Sequence, residues 1–114
     1  MKIVVSLHRR LETIMSTADI SKIIADYLAT QPVTKAWLFG SYARGEQRED
    51  SDVDILVRFD HDNANIGLME YVHMINDLSE QLGLSVDLVE EGTLLPFAER
   101  SANQDKHLIY ERAY

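Results

Sequence analysis

The chain has 114 residues, of which 46% are hydrophobic and 26% are charged, and its formal net charge is -8. This length fits one folded domain and is too short for a separate substrate-binding domain as well. The absence of cysteine excludes disulfides, thiolate zinc sites and a cysteine nucleophile. The acidic balance argues against a nucleic-acid partner and suits a basic protein partner, although it is equally typical of plain solubility.

The N-terminal segment, residues 1–15, is predicted to be an extension or an extra helix. Four apolar residues recur there at helical spacing: Val4, Leu7, Leu11 and Ile14. Met15 is an alternative start, in which case residues 1–14 would not belong to the native chain. No apolar run is long enough for a signal-peptide core or a membrane span, so we expect a cytoplasmic protein without membrane contact.

The domain proper, residues 16–114, is expected to begin with an amphipathic helix over residues 16–31. Ser16 or Thr17 is suited to cap it, and Pro32 stops it. The apolar positions at helical spacing are Ile20, Ile23, Ile24, Tyr27 and Leu28. Residues 33–39 are β-branched and aromatic and end at Gly40, which predicts a strand that runs into a tight turn.

A second strand is indicated by alternation that places four side chains on one face: Val53, Ile55, Val57 and Phe59. A helix follows from about residue 66 to residue 81, and Gly83 ends it. Its predicted apolar stripe is Leu68, Val72, Ile75 and Leu82. A third strand is expected over residues 84–90, then a helix over 96–106 and a last short strand over 108–110.

The segment from Gly40 to Asp54 joins the first two strands and combines a glycine turn with a pair of carboxylates. A glycine and a hydroxyl residue at the end of a strand let amide hydrogens and the Ser41 hydroxyl hold phosphate oxygens. Arg44 adds a permanent positive charge, for which phosphate or partner binding is weighed against a solvated loop charge. The segment therefore predicts a phosphate-binding turn.

Three aspartates are the candidate metal ligands. Asp52 and Asp54 lie two residues apart on a strand, so their carboxylates project to one face and offer hard oxygen ligands to magnesium or manganese. Asp87 lies within an apolar run of the third strand, where burial without a partner or a metal would be costly. We therefore expect Asp87 to be the third carboxylate of the same site.

Two similar motifs are excluded on chemical grounds. Glu46 occupies the position at which an ATPase phosphate loop needs lysine. Ile55 and His61 occupy the glycine and the bidentate glutamate positions of a calcium-binding helix-loop-helix motif. The four histidines show no metal-ligand spacing, so they are assigned no role.

The spaced pattern of Gly40-Ser41, Asp52-Val53-Asp54 and a later Asp87 resembles the DNA polymerase β nucleotidyltransferase superfamily. Within it, GSYARGE, SDVDILV and VDLV resemble the minimal nucleotidyltransferase (MNT) antitoxins that are paired with HEPN toxins, over roughly residues 16–110. The resemblance implies an α+β nucleotidyltransferase fold, with a small central mixed sheet of about four strands flanked by helices.

The resemblance also implies a two-metal mechanism with ATP as the substrate. Asp52 and Asp54 would hold two magnesium or manganese ions, Gly40 and Ser41 the triphosphate, and Asp87 the metal that activates the acceptor hydroxyl. AMP would pass to a tyrosine of a cognate HEPN ribonuclease toxin, with which the chain would form a hetero-oligomer. The alternatives are an antitoxin that acts by binding alone and a transferase that modifies a small molecule or an RNA end.

Overall fold

A computed structural model describes residues 16–48, 51–93 and 104–113 of the chain. The expected N-terminal helix lies outside these residues, as does most of the helix expected over residues 96–106. Within the described ranges, no helix is long and apolar enough to cross a membrane.

The first described helix, α1, spans Thr17–Leu28. The Ser16 side chain caps it by accepting a hydrogen bond of 3.1 Å from the Asp19 amide, as the sequence predicts. Ile20, Ile24 and Leu28 recur every four residues and are buried. The helix ends three residues before the predicted end because the amides of Thr30 and Gln31 form tighter turn hydrogen bonds.

Four strands form one mixed sheet, as expected. They are β1 (Val33–Phe39), β2 (Val53–Phe59), β3 (Val86–Glu90) and β4 (His107–Glu111), in the spatial order β3-β2-β1-β4. Strand β1 pairs antiparallel with β2 and with β4, whereas β2 and β3 run parallel. Strand β1 matches its predicted bounds; β3 begins two residues later than predicted because its ladder with β2 begins at Val86.

A parallel pair requires a crossover, and the helix α3 (Leu68–Leu82) supplies it between β2 and β3. The Glu70 carboxylate accepts a hydrogen bond of 3.1 Å from the Gly67 amide at the start of this helix. Gly83 ends the helix with a positive φ of 66°, a conformation that glycine adopts without strain. The predicted helix and its glycine stop are therefore confirmed.

The core lies between the sheet and the helices α1 and α3. The alternating side chains of β2 are buried there as predicted: Val53, Ile55, Val57 and Phe59. The predicted stripe of α3 was wrong in its first half, since Leu68 and Val72 are 76% and 40% exposed. The buried residues of α3 are Met74, Leu78 and Leu82. Their four-residue spacing faces the sheet, and Leu68 lies in the first turn outside that line.

The expected tight turn after β1 is instead a one-turn helix, α2 (Gly40–Arg44). Its Tyr42 side chain is 3% exposed and packs in the core, which anchors this short helix. A short helix with a buried aromatic residue is a more rigid platform than a turn. The residues that follow β1 are thereby held against the end of the sheet.

The helices α1 and α3 are joined by a side-chain hydrogen bond. The Tyr27 hydroxyl donates to the Asp77 carboxylate at 2.6 Å in a partly buried site. Burial first, and then the hydrogen bond and the charge of Asp77, raise the pKa of Tyr27 above its ordinary value. The hydroxyl therefore stays protonated and continues to donate at all physiological pH values.

We expect Tyr27→Phe to lower the free energy of unfolding by about 1 kcal/mol, because it removes one partly buried hydrogen bond and little packing. Urea unfolding followed by circular dichroism measures this. The control is Asp26→Asn, which removes the exposed ion pair with Lys22 and should change stability by less than about 0.5 kcal/mol. Equal effects of the two variants would show that the hydrogen bond contributes nothing specific.

Candidate active site

The candidate site lies on the face of the sheet that α1 and α3 do not cover. In β2, Asp54 alternates with Val53 and Ile55, which both point into the helix-covered core. Asp54 therefore projects to the opposite face. There it lies beside Phe39, its register partner in β1, which directly precedes α2.

The sheet register brings the candidate carboxylates together. Asp54 and Asp87 are direct partners in the parallel ladder of β2 and β3, and adjacent strands lie about 4.8 Å apart. Asp52 precedes Asp54 by two residues, just before β2 begins. Asp54 is half-buried, whereas Asp52 and Asp87 are exposed. The expected burial of Asp87 was wrong, because its side chain lies on the sheet face that α1 and α3 do not cover, whereas the adjacent Leu88 of the same strand is buried in the core.

The electrostatics of Asp54 reflect this crowding. Burial, followed by the negative charges of Asp87 and Asp52, raises its pKa from 3.8 to about 6, and the positive charge of Arg44 acts in the opposite direction. Like charges on one sheet face disfavour ionisation of the most buried carboxylate. A cation in this position would relieve the repulsion, since carboxylate oxygens are the ligands that magnesium and manganese prefer.

The side chains do not form a finished metal cage as they stand. Among residues 16–48, 51–93 and 104–113, no three acidic, histidine or cysteine side chains converge closely enough to hold one ion. The backbone positions nevertheless fit a metal, because Asp54 and Asp87 are ladder partners and Asp52 lies close enough for its charge to raise the pKa of Asp54. Carboxylates that repel one another diverge, and rotation about their side-chain bonds would bring them onto a cation.

Gly40 is required by the carboxylate that lies over it. Its φ is 71°, and a Cβ at this position would lie 2.2 Å from Oδ2 of Asp54. Any side chain here would therefore both strain the backbone and displace the Asp54 carboxylate. The predicted contact of Gly40 with phosphate stays a prediction, as does that of the half-buried Ser41 that follows it.

Arg44, at the end of α2, is held by two acidic residues. Its Nε donates to Glu46 at 3.2 Å and its Nη1 donates to Asp105 at 3.1 Å. Hydrogen bonds to Glu46 and Asp105 raise the pKa of the guanidinium further. Sequence reasoning missed Asp105, because nothing in the sequence indicates that the residue two before β4 reaches α2.

A separate polar cavity of about 460 Å³ lies at the other end of the sheet. Asp60 and Arg112 line it and form an ion pair of 2.6 Å, and Lys35 pairs with Glu111 at 3.1 Å. Asn63 and Arg112 donate hydrogen bonds that hold the pKa of Asp60 below its ordinary value. These opposite charges neutralise one another, so we read this cluster as structural.

Comparison with known proteins gives a consistent result. A family model described as a nucleotidyltransferase domain matches residues 20–109. A Methanocaldococcus jannaschii relative, MJ1379, is 42% identical over 90 residues, which cover 78% of this chain and 84% of that protein. MJ1379 bears the name of a protein adenylyltransferase.

Three solved structures have a similar fold. A minimal nucleotidyltransferase has a TM-score of 0.69 and 29% identity, over 82% of this chain and 96% of its own. A toxin-antitoxin crystal structure with AMP-PNP has a TM-score of 0.68 and 21% identity, over 81% and 73%. A tri-AMPylated Shewanella oneidensis HEPN toxin in complex with MNT antitoxin has a TM-score of 0.56 and 15% identity, over 81% and 73%.

We expect Gly40→Ala to weaken Mn²⁺ binding at least about tenfold, because the new methyl group would displace the Asp54 carboxylate. Gly45→Ala is the matched control: its φ is also 71°, but a Cβ there meets nothing within 4 Å. Both variants should lose about 1 to 2 kcal/mol of stability from backbone strain. Electron paramagnetic resonance titration measures the binding, and equal Mn²⁺ affinities in the two variants would refute the assigned role of Gly40.

We expect Asp54→Asn to stabilise the metal-free chain by about 1 kcal/mol at pH 8, because it removes a repelled carboxylate. The folded protein holds the Asp54 proton more tightly than the unfolded chain does. Wild-type stability should therefore fall as the pH rises from about 4 to about 6, and the variant should escape that loss.

Urea unfolding at several pH values measures the gain from Asp54→Asn, which should vanish below pH 4. Asp62→Asn, which neutralises an exposed loop carboxylate, serves as the control for a general charge effect. A loss of stability in Asp54→Asn at pH 8 would contradict the assignment of repulsion at this site.

Proposed function

The chain belongs to the nucleotidyltransferase domain family, and from this premise we propose that it is a metal-dependent adenylyltransferase. It transfers AMP from ATP to a hydroxyl group, a tyrosine, of a cognate HEPN toxin and thereby acts as that toxin's antitoxin. The observation that carries the proposal is the register of β2 and β3, which pairs Asp54 with Asp87 beside the helix that begins at Gly40.

The choice of AMP and of a protein acceptor is supported by the relatives. MJ1379, a protein adenylyltransferase by name, matches most of this chain at 42% identity. The toxin-antitoxin structures with AMP-PNP and with a tri-AMPylated HEPN toxin share the fold, and their low identity supports the fold alone. The toxin partner therefore rests on the family resemblance together with the chemistry of the site.

The metal site is proposed to consist of Asp52, Asp54 and Asp87. Two magnesium or manganese ions, when bound, would neutralise charge on the triphosphate and on the attacking and leaving oxygens. The task of the chain is to keep all three carboxylates ionised and on one face. Because the pKa of Asp54 is raised to about 6, its ionised fraction falls as the pH drops below 6, and metal binding should weaken there.

The nucleotide site is proposed to consist of Gly40, Ser41 and Arg44. The short helix α2 brings the Ser41 hydroxyl and its neighbouring amides to the end of β1, one ladder step from Asp54. The guanidinium of Arg44 lies close enough to Asp54 to affect its pKa. These groups would bind phosphate oxygens and orient the triphosphate for in-line attack.

The acceptor is proposed to come from the partner protein. The chain as a whole is acidic, with a net charge of -8. A toxin with a basic surface would meet it favourably and supply its own tyrosine. A cytoplasmic location is part of the same proposal.

The test is incubation of the purified chain with α-labelled ATP, Mg²⁺ and the cognate HEPN protein. We expect label on the partner, and the Asp52→Asn, Asp54→Asn double variant should reduce it at least about 100-fold because metal ligands are lost. The matched control is Asp26→Asn, Asp62→Asn, which removes the same charge from two exposed positions away from the site.

The outcomes separate catalysis from inhibition by binding alone. Labelling that survives the loss of Asp52 and Asp54 would refute the metal site. A partner that is bound and inhibited but never labelled would instead show an antitoxin that acts by contact. Replacement of the partner's acceptor tyrosine by phenylalanine should abolish the label without preventing binding, which identifies the acceptor.

A further inference from the structure

Three consecutive residues before and at the start of β4 each contact a different part of the site region. Asp105 accepts a hydrogen bond of 3.1 Å from Arg44, and His107 contacts the Ala43 carbonyl at 3.0 Å. Between them, the Lys106 ammonium lies 4.5 Å from the centroid of the Trp37 ring. We call residues 105–107 the clasp.

Two of these contacts end on α2, the helix that follows Gly40. A carbonyl oxygen only accepts, so the Nε2 atom of His107 carries the proton and donates to Ala43. His107 and Ala43 are separated by 64 positions in sequence, so only the tertiary fold brings them together. A five-residue helix has little stability of its own, so its orientation depends on such outside contacts.

The contact with Arg44 constrains the guanidinium. Its Nε donates a hydrogen bond to Glu46 and its Nη1 donates one to Asp105, and these two acceptors belong to different segments of the chain. Arginine has a planar fork of five donors, so fixing two nitrogens fixes the direction of the third. Nη2 makes no hydrogen bond within residues 16–48, 51–93 and 104–113.

The third contact fixes the clasp to the sheet. Trp37 is only 8% exposed and belongs to β1, the strand that leads into α2. A cation over an indole face contributes about 0.5 to 1 kcal/mol at an accessible site. Lys106 therefore holds the middle of the clasp against the same strand whose end α2 extends.

We propose that Asp105 is a positioning residue for nucleotide binding: the clasp orients α2, and Asp105 directs the guanidinium of Arg44 toward the triphosphate. The inference rests on the proposed function, since it assigns Arg44 to the nucleotide. Asp105 itself touches no phosphate, because its negative charge would repel one. Its effect on nucleotide binding passes through Arg44, and this dependence is what the experiment tests.

The experiment measures steady-state transfer and equilibrium binding of Mg²⁺·AMP-PNP, with the full chain and its HEPN partner. Asp105→Asn should raise KM for ATP and the AMP-PNP dissociation constant about threefold to tenfold and change kcat less than about twofold. Asp105→Glu should restore most of the affinity, since it keeps the charge. In an Arg44→Gln background, adding Asp105→Asn should change KM by less than about 1.5-fold.

The matched control is Glu111→Gln, which removes an acidic ion-pair partner from the far end of β4, the strand that follows Asp105. Glu111 bonds Lys35 at 3.1 Å, away from α2. The chain has a single tryptophan, so the fluorescence of Trp37 reports on the clasp without any nucleotide. Asp105→Asn should shift this fluorescence, and Glu111→Gln should leave it unchanged.

The outcomes distinguish this inference from the proposed function. If the wild type labels its partner and Asp105→Asn behaves like Glu111→Gln, the positioning role is refuted and the function stands. The positioning role is also refuted, and the function stands, if Asp105→Asn raises KM for ATP as much in the Arg44→Gln background as in the wild type. If the wild type binds AMP-PNP but labels nothing, the function fails, and weaker binding by Asp105→Asn still supports the clasp. A wild type that binds no AMP-PNP refutes both.

Discussion

The repulsion among carboxylates on one face of the sheet is the constraint on which the site depends. Burial and the negative charges of Asp87 and Asp52 oppose the ionisation of Asp54 and raise its pKa to about 6. It tolerates this position because Gly40 leaves room for its carboxylate. The close approach of the end of β1 to Asp54, the absence of a side chain at Gly40 and the raised pKa of Asp54 are thus parts of one arrangement.

The rest of the fold holds that arrangement in place. The crossover helix α3 allows β2 and β3 to run parallel, which brings Asp54 and Asp87 level with each other. The buried Tyr42 anchors α2 in the core, and Asp105 and His107 contact it from the segment that leads into β4. The packed core therefore holds Asp54 in a position where its ionised carboxylate is electrostatically unfavourable. Perturbed carboxylates of this kind are common at functional sites.

The elements predicted correctly from the sequence are those that depend on local sequence patterns. The alternation in β2, the cap at Ser16 and the glycine stop at Gly83 each follow from the preferences of neighbouring residues, and the structure confirms them. Sequence reasoning failed where two patterns competed. Leu68 and Val72 fit a helical stripe as well as Met74 and Leu78 do, and only packing against the sheet selects the second set.

The sequence by itself determined the candidate groups and the family to which they point, because Gly40-Ser41 and the three aspartates are defined by residue type and spacing. The tertiary structure alone decided how those groups meet. The register of β2 with β3 makes Asp54 and Asp87 neighbours, and the sheet face on which Asp87 lies leaves it exposed. The fold also brings Asp105 to Arg44 across 61 positions of sequence. Contacts between distant segments depend on the packing of the whole chain, which no local preference encodes.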